Sequence, residues 1–107
     1  MIEIDENQFL EKVVEKSKEI PVLVDFFAEW CPPCDMLRPF LEKLAIDFKN
    51  KVFFVKVDVD QNRILSSQYD IVSIPSIKLF KDGGVVDELN GTVPEQYLRS
   101  WLEKHLN

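Results

Sequence analysis

The run PVLVDFFAE, Pro21 to Glu29, constrains the fold more than any other stretch of the chain. Its apolar residues fall on both faces of an extended segment. Only a central strand covered by helices on each side can bury both faces. VFFVKVDVD, Val52 to Asp60, is a second run of the same kind. Between them Leu37, Phe40, Leu41, Leu44, Ala45 and Phe48 repeat at helical spacing, with Pro39 inside the run and expected to kink it. Strand, helix and strand in that order predict a parallel crossover.

The flanking segments extend the pattern. Asp5 and Gln8 have the spacing of a capping box, ahead of apolar residues at Phe9, Leu10, Val13 and Val14. Ile20-Pro21 ends that helix. Asp60 is placed to cap a short helix around Asn62 to Gln68. Ser76 to Lys81 reads as a strand, Asp82-Gly83-Gly84 as a hairpin turn and Val85 to Leu89 as the partner strand. Pro94 suits the first turn of a last helix that carries Tyr97, Leu98, Trp101, Leu102 and Leu106 inward. The order β-α-β-α-β-α-β-β-α predicts an α/β fold with a mixed central sheet between helices. At 107 residues, 46% hydrophobic and 30% charged, the chain is expected to form one domain, 1–107.

The two cysteines, Cys31 and Cys34, fall where the central strand gives way to the next helix. Two cysteines cannot build a disulfide framework, so the pair points to chemistry. A net charge of −6 argues against nucleic-acid binding. The apolar runs are too short for a membrane span. The acidic start, MIEIDENQF, does not resemble a signal peptide, which points to a reducing cytoplasm.

At a helix N-terminus, unpaired amides and the positive dipole end favour a thiolate. Cys31, outermost, is the expected nucleophile, and Cys34, one turn in and more buried, the resolving thiol. Two other readings stand beside this one. Half of a zinc site would need further ligands, of which only His105 offers itself, and a chance pair of small core residues needs none. Asp25 lies inside the apolar run on the face of Leu23 and Phe27. Burial would raise its pKa and let it act as general base for Cys34, unless it reaches solvent near the strand end. Lys56, on the face of Phe54, could reach Asp25 from a neighbouring strand or extend to solvent.

Phe26-Phe27-Ala28-Glu29-Trp30-Cys31-Pro32-Pro33-Cys34 closely resembles the active-site segment of the thioredoxin family. Asp25, Pro39, Lys56-Val57-Asp58, Ile74-Pro75-Ser76, Phe80-Lys81-Asp82-Gly83 and Gly91 match in the same order and spacing, through nearly the whole chain. The resemblance implies a thioredoxin fold and a protein-disulfide reductase. In that reading Cys31 attacks a target disulfide and Cys34 resolves the mixed disulfide with help from Asp25. Trp30, Pro32, Pro33, Lys56 and Pro75 would support the site. Trp30, Pro32, Ile74, Pro75 and Gly91 would line a shallow docking surface, with the Ile74-Pro75 bond cis and the Ile74 backbone pairing with substrate. The implied partners are disulfide-containing proteins and a thioredoxin reductase supplying electrons through FAD from NADPH. No metal or bound cofactor beyond the redox-active disulfide is implied, and the chain would act as a monomer. A thioredoxin-fold scaffold with incidental cysteines, or a disulfide oxidase or isomerase, are the competing functions.

Several positions depart from the family pattern. Pro32 stands where glycine is common and Asp35 where a basic residue is usual. Phe27, Ser76 and Asn90 replace a frequent Trp, a frequent Thr and an often apolar residue. Pro32 removes an N–H near Cys31 and Asp35 adds a negative charge, both expected to raise the Cys31 thiol pKa. A stiffer turn acts on the disulfide as well, in a direction the sequence leaves open. Together these changes imply a potential roughly tens of millivolts from the −270 mV of a reference thioredoxin.

Overall fold

Strand β2, Val22–Phe27, has all six residues buried and sits at the middle of a five-stranded sheet of order β1-β3-β2-β4-β5. The structure is a computed structural model and describes residues 1–106. The other strands are β1 (Ile2–Glu3), β3 (Phe53–Asp58), β4 (Ser76–Lys81) and β5 (Gly84–Asn90). β1 and β2 pair parallel to β3, while β4 pairs antiparallel to β2 and to β5. The mixed sheet expected from the two apolar runs is the sheet observed, in keeping with the fold that the family resemblance implies.

Each sheet face has its own core. On one side Leu23, Phe54, Ile77 and Leu79 meet Leu37, Leu41 and Leu44 of α1 (Pro32–Asp47). Leu98, Trp101 and Leu102 of α3 (Glu95–Glu103) complete that side. On the other, Val22, Val24, Phe26, Val55, Val57 and Phe80 pack under Phe9, Val13 and Leu65 of α2 (Arg63–Gln68). Alternation along β2 therefore sends Asp25 to the α1 side, with Leu23.

The capping box forms: the Asp5 N–H donates to Gln8 Oε1 at 3.0 Å, and Asp5 Oδ1 accepts from the Gln8 N–H at 3.1 Å. The helix after it is irregular, a π-helical stretch Leu10–Glu15 followed by a 3-10 turn Lys16–Lys18. Phe9 and Val13 face the core, whereas Leu10 is exposed. Asp82 (φ 53) and Gly83 (φ 91) make the two-residue hairpin turn, and both left-handed backbones suit an Asp-Gly pair. α1 runs on through Pro39, whose ring is exposed. Pro39 has no N–H to offer the Asp35 carbonyl.

Three sequence expectations are corrected here. Pro94 (ψ 148) is the residue before α3 and not part of its first turn. Tyr97 is 56% exposed, because the Leu98, Trp101 and Leu102 stripe forms the face toward the core. Asp60 makes no cap for α2, whose capping position is Asn62. The Asn62 side chain is itself committed, donating to the Asp58 carbonyl at 2.9 Å and accepting from the Glu6 N–H at 2.8 Å.

Candidate active site

The carboxyl end of β2 delivers Phe27 and Ala28, and the chain turns there, with the Cys31 N–H donating to the Ala28 carbonyl at 3.3 Å. Cys31 has φ −99 and ψ 102, an extended backbone of the kind a residue before proline prefers. It is the N-cap of α1, and Pro32 and Pro33 take the first two helical positions. Amides there have no acceptor within the helix, so the prolines forfeit little. The Cys34 N–H, at the third position, donates to Cys31 Sγ at 3.2 Å.

Cys31 and Cys34 are joined in a disulfide with Cα atoms 5.3 Å apart, within the ordinary range. Both are 2% exposed, packed with Phe27 and Ala28 and flanked by Val59 and Ile74. The expected difference in burial is absent in this state. Phe27, Ala28, Val59 and Ile74 cover both cysteines.

N-cap side chains accept from the second or third helical amide. Pro33 vacates the second, so the third is the donor whichever residue occupies position 32. Pro32 therefore removes no capping donor, contrary to the sequence-based argument, and acts only by restricting the turn. Glycine at 32 would gain more freedom in the dithiol form than in the cross-linked one, favouring reduction. The expected result for Pro32→Gly is a potential about 20 mV less negative. Equilibrium titration against a glutathione buffer measures it, and a shift of opposite sign would refute the account.

Asp25 is 4% exposed, in register with Lys56 on β3 and Ile77 on β4. Its Oδ1 has no hydrogen-bond partner. Burial pushes the carboxyl from 3.8 up to about 7, with Arg38 and then Lys56 holding it down. The rise expected from the sequence is present. The Lys56 ammonium lies over the Phe27 ring, 5.4 Å from its centroid, and forms no ion pair with Asp25. It acts on the carboxyl at longer range.

Trp30 is 68% exposed, and its Nε1–H donates to Asp60 Oδ2 at 2.6 Å. That bond occupies the carboxylate assigned by the sequence to α2 and fixes the indole beside Cys31. The Ile74-Pro75 peptide is cis. Ile74 packs on the disulfide cluster, and the Pro75 carbonyl accepts from the Gly91 N–H at 2.8 Å. Gly91 has φ 84, which favours glycine. Trp30, Pro32 and Pro33 are exposed next to the buried disulfide, Ile74 and Gly91 are half-buried, and Pro75 is buried.

Asp35 is paired with Arg38, Oδ1 to Nη2 at 2.8 Å, so its field at Cys31 is partly neutralised. Arg38 was not singled out from the sequence. The signals were its i,i+3 spacing from Asp35 and its i,i+4 spacing from Cys34. Among the described residues no cluster of three or more His, Cys, Asp or Glu side chains is placed to hold a metal ion.

A family model described as Thioredoxin matches residues 1–104. The chain is 45% identical over 103 residues to "Thioredoxin 1" of Synechococcus elongatus, covering 96% of this chain and 94% of that protein. It is 41% identical over 104 residues to "Thioredoxin 1" of a Nostoc species, covering 97% and 95%. The "Thioredoxin" of Staphylococcus aureus is 46% identical over 84 residues, 78% of this chain and 81% of that protein.

Proposed function

This chain belongs to the thioredoxin family and is a dithiol–disulfide redox carrier, and we propose that it works as a monomeric cytoplasmic protein-disulfide reductase recharged by a thioredoxin reductase. The observation that carries the reading is the placement of Cys31 Sγ at the N-terminus of α1, accepting from the Cys34 amide. A sulfur there is stabilised as thiolate by an N–H donor and the positive end of a helix of 16 residues.

In the dithiol form the Cys31 thiolate attacks one sulfur of a target disulfide. A Cys31–target bond forms and the target's other sulfur leaves as thiolate. Asp25, as carboxylate, takes the Cys34 proton, and the Cys34 thiolate attacks Cys31 Sγ. The Cys31–Cys34 bond forms, the bond to the target breaks, and the target has gained two electrons. Carboxyl burial supports Asp25 in this role, because a base with a pKa of about 7 can take and give a proton near neutrality.

Trp30, Pro32, Ile74, Pro75 and Gly91 form the proposed docking surface, with the Ile74 backbone pairing with an extended target segment. Pro33 and Lys56 support the site. The whole of 1–107 acts as a single domain. No helix among the described residues is long and apolar enough to cross a membrane. The proposed electron source is a flavoprotein (FAD) reductase drawing on NADPH.

The test couples NADPH, a thioredoxin reductase and insulin. NADPH consumption should rise in proportion to added protein. Consumption at the level of the blank, with a reductase that accepts other thioredoxins, would overturn the assignment of the electron source. Insulin reduction with dithiothreitol, equally unaccelerated, would overturn the reductase reading itself.

A further inference from the structure

Arg38 lies one helical turn beyond Cys34, and residues four apart stack on one helix face. Cys34 is buried against the carboxyl end of β2, so this face turns toward the sheet. The Arg38 side chain is only 33% exposed, and its outer contact is the 2.8 Å pair with Asp35. On the strand beneath, Asp25 is buried with Oδ1 unpartnered. The cations whose charge reaches it are Arg38 from α1 and Lys56 from β3, while β4 presents Ile77 in register. Lys56 is drawn to the Phe27 ring, which leaves Arg38 as the cation on the helix above the carboxyl.

We propose that Arg38 is a positioning residue: anchored outside by Asp35, it supplies counter-charge to the buried Asp25 carboxylate and keeps that group able to take the Cys34 proton. The inference rests on the reading of Asp25 as base for Cys34. It gives a role to the Asp35–Arg38 pair, which neither cysteine chemistry nor docking requires. A guanidinium suits the position because it stays charged at any working pH and can face two carboxylates from one planar head.

The test is a ¹³C NMR titration of the Asp25 carboxyl in the oxidised protein, where neither cysteine titrates. Removing a nearby cation favours the protonated carboxyl, so Arg38→Gln should raise the Asp25 midpoint by about one pH unit. Arg38→Lys, which keeps the charge, should restore most of the difference. An Asp25 midpoint in Arg38→Gln equal to that of the wild type would overturn the proposal. In the reduced protein the acidic limb of the turnover-against-pH profile should move up with the NMR midpoint. A midpoint that moves while the limb stays would uphold the counter-charge and overturn Asp25 as the base, so the two claims fail separately.

Discussion

Cys34→Ser should cut turnover of protein disulfides by about three orders of magnitude or more and leave the chain covalently bound to its target. Cys31 keeps its place at the helix N-terminus, its amide donor and its exposed rim of Trp30 and Pro32. The first attack therefore proceeds. Resolution does not, because a serine hydroxyl is almost wholly protonated near neutrality and cannot displace the target sulfur. Intact mass of the reaction mixture would show the chain plus one target molecule, released by dithiothreitol. Cys31→Ser should lose turnover to the same degree and yield no adduct. An adduct that formed equally through either cysteine would contradict the order of roles, and unchanged turnover in both variants would favour a scaffold with incidental cysteines.

Asp25→Asn in the oxidised protein should gain about 2–3 kcal/mol of stability at pH 8 and close to none at pH 4. The folded-state carboxyl titrates at about 7 and the unfolded one near 3.8. Below 3.8 both states hold the proton and the group contributes nothing. Between the two values the native state holds a proton that the unfolded state has lost, so stability falls as pH rises. Above about 7 the full penalty is present, and the interval corresponds to about 4 kcal/mol as an upper figure. Asparagine recovers only part, because its amide is still buried where Oδ1 of Asp25 finds no partner. Urea unfolding at the two pH values measures the difference, and an Asn variant no more stable at pH 8 would refute the buried-charge account. The same replacement should slow resolution by Cys34, so stability and activity move in opposite directions at this residue.

Where the sequence was read well, periodicity and proximity along the chain sufficed. The two-faced run Val22–Phe27 has one stable location, the middle of a covered sheet, and it is found there. The Cys-Pro-Pro-Cys turn, the capping box at Asp5 and the Asp82-Gly83 hairpin are each decided within a few residues, by φ restriction and local amides. Where it was read less well, a partner distant in sequence intervened. Asp60 looked like a cap for the helix next to it, but Trp30 lies thirty positions away and takes its carboxylate. Tyr97 fits the apolar pattern of α3, yet Leu98, Trp101 and Leu102 make the contact with the core without it.

The sequence by itself determined the strand and helix order, the disulfide pair at a helix start, and a carboxyl inside an apolar strand. These follow from side-chain period and from chemistry confined to one turn. Only the tertiary structure decided which cations act on Asp25. β3 brings Lys56 into register but its ammonium settles over Phe27, and Arg38 acts on the carboxyl from a different element, α1. Long charged side chains choose partners by the distances that packing leaves between elements, and those distances exist only once the helix has docked on the sheet.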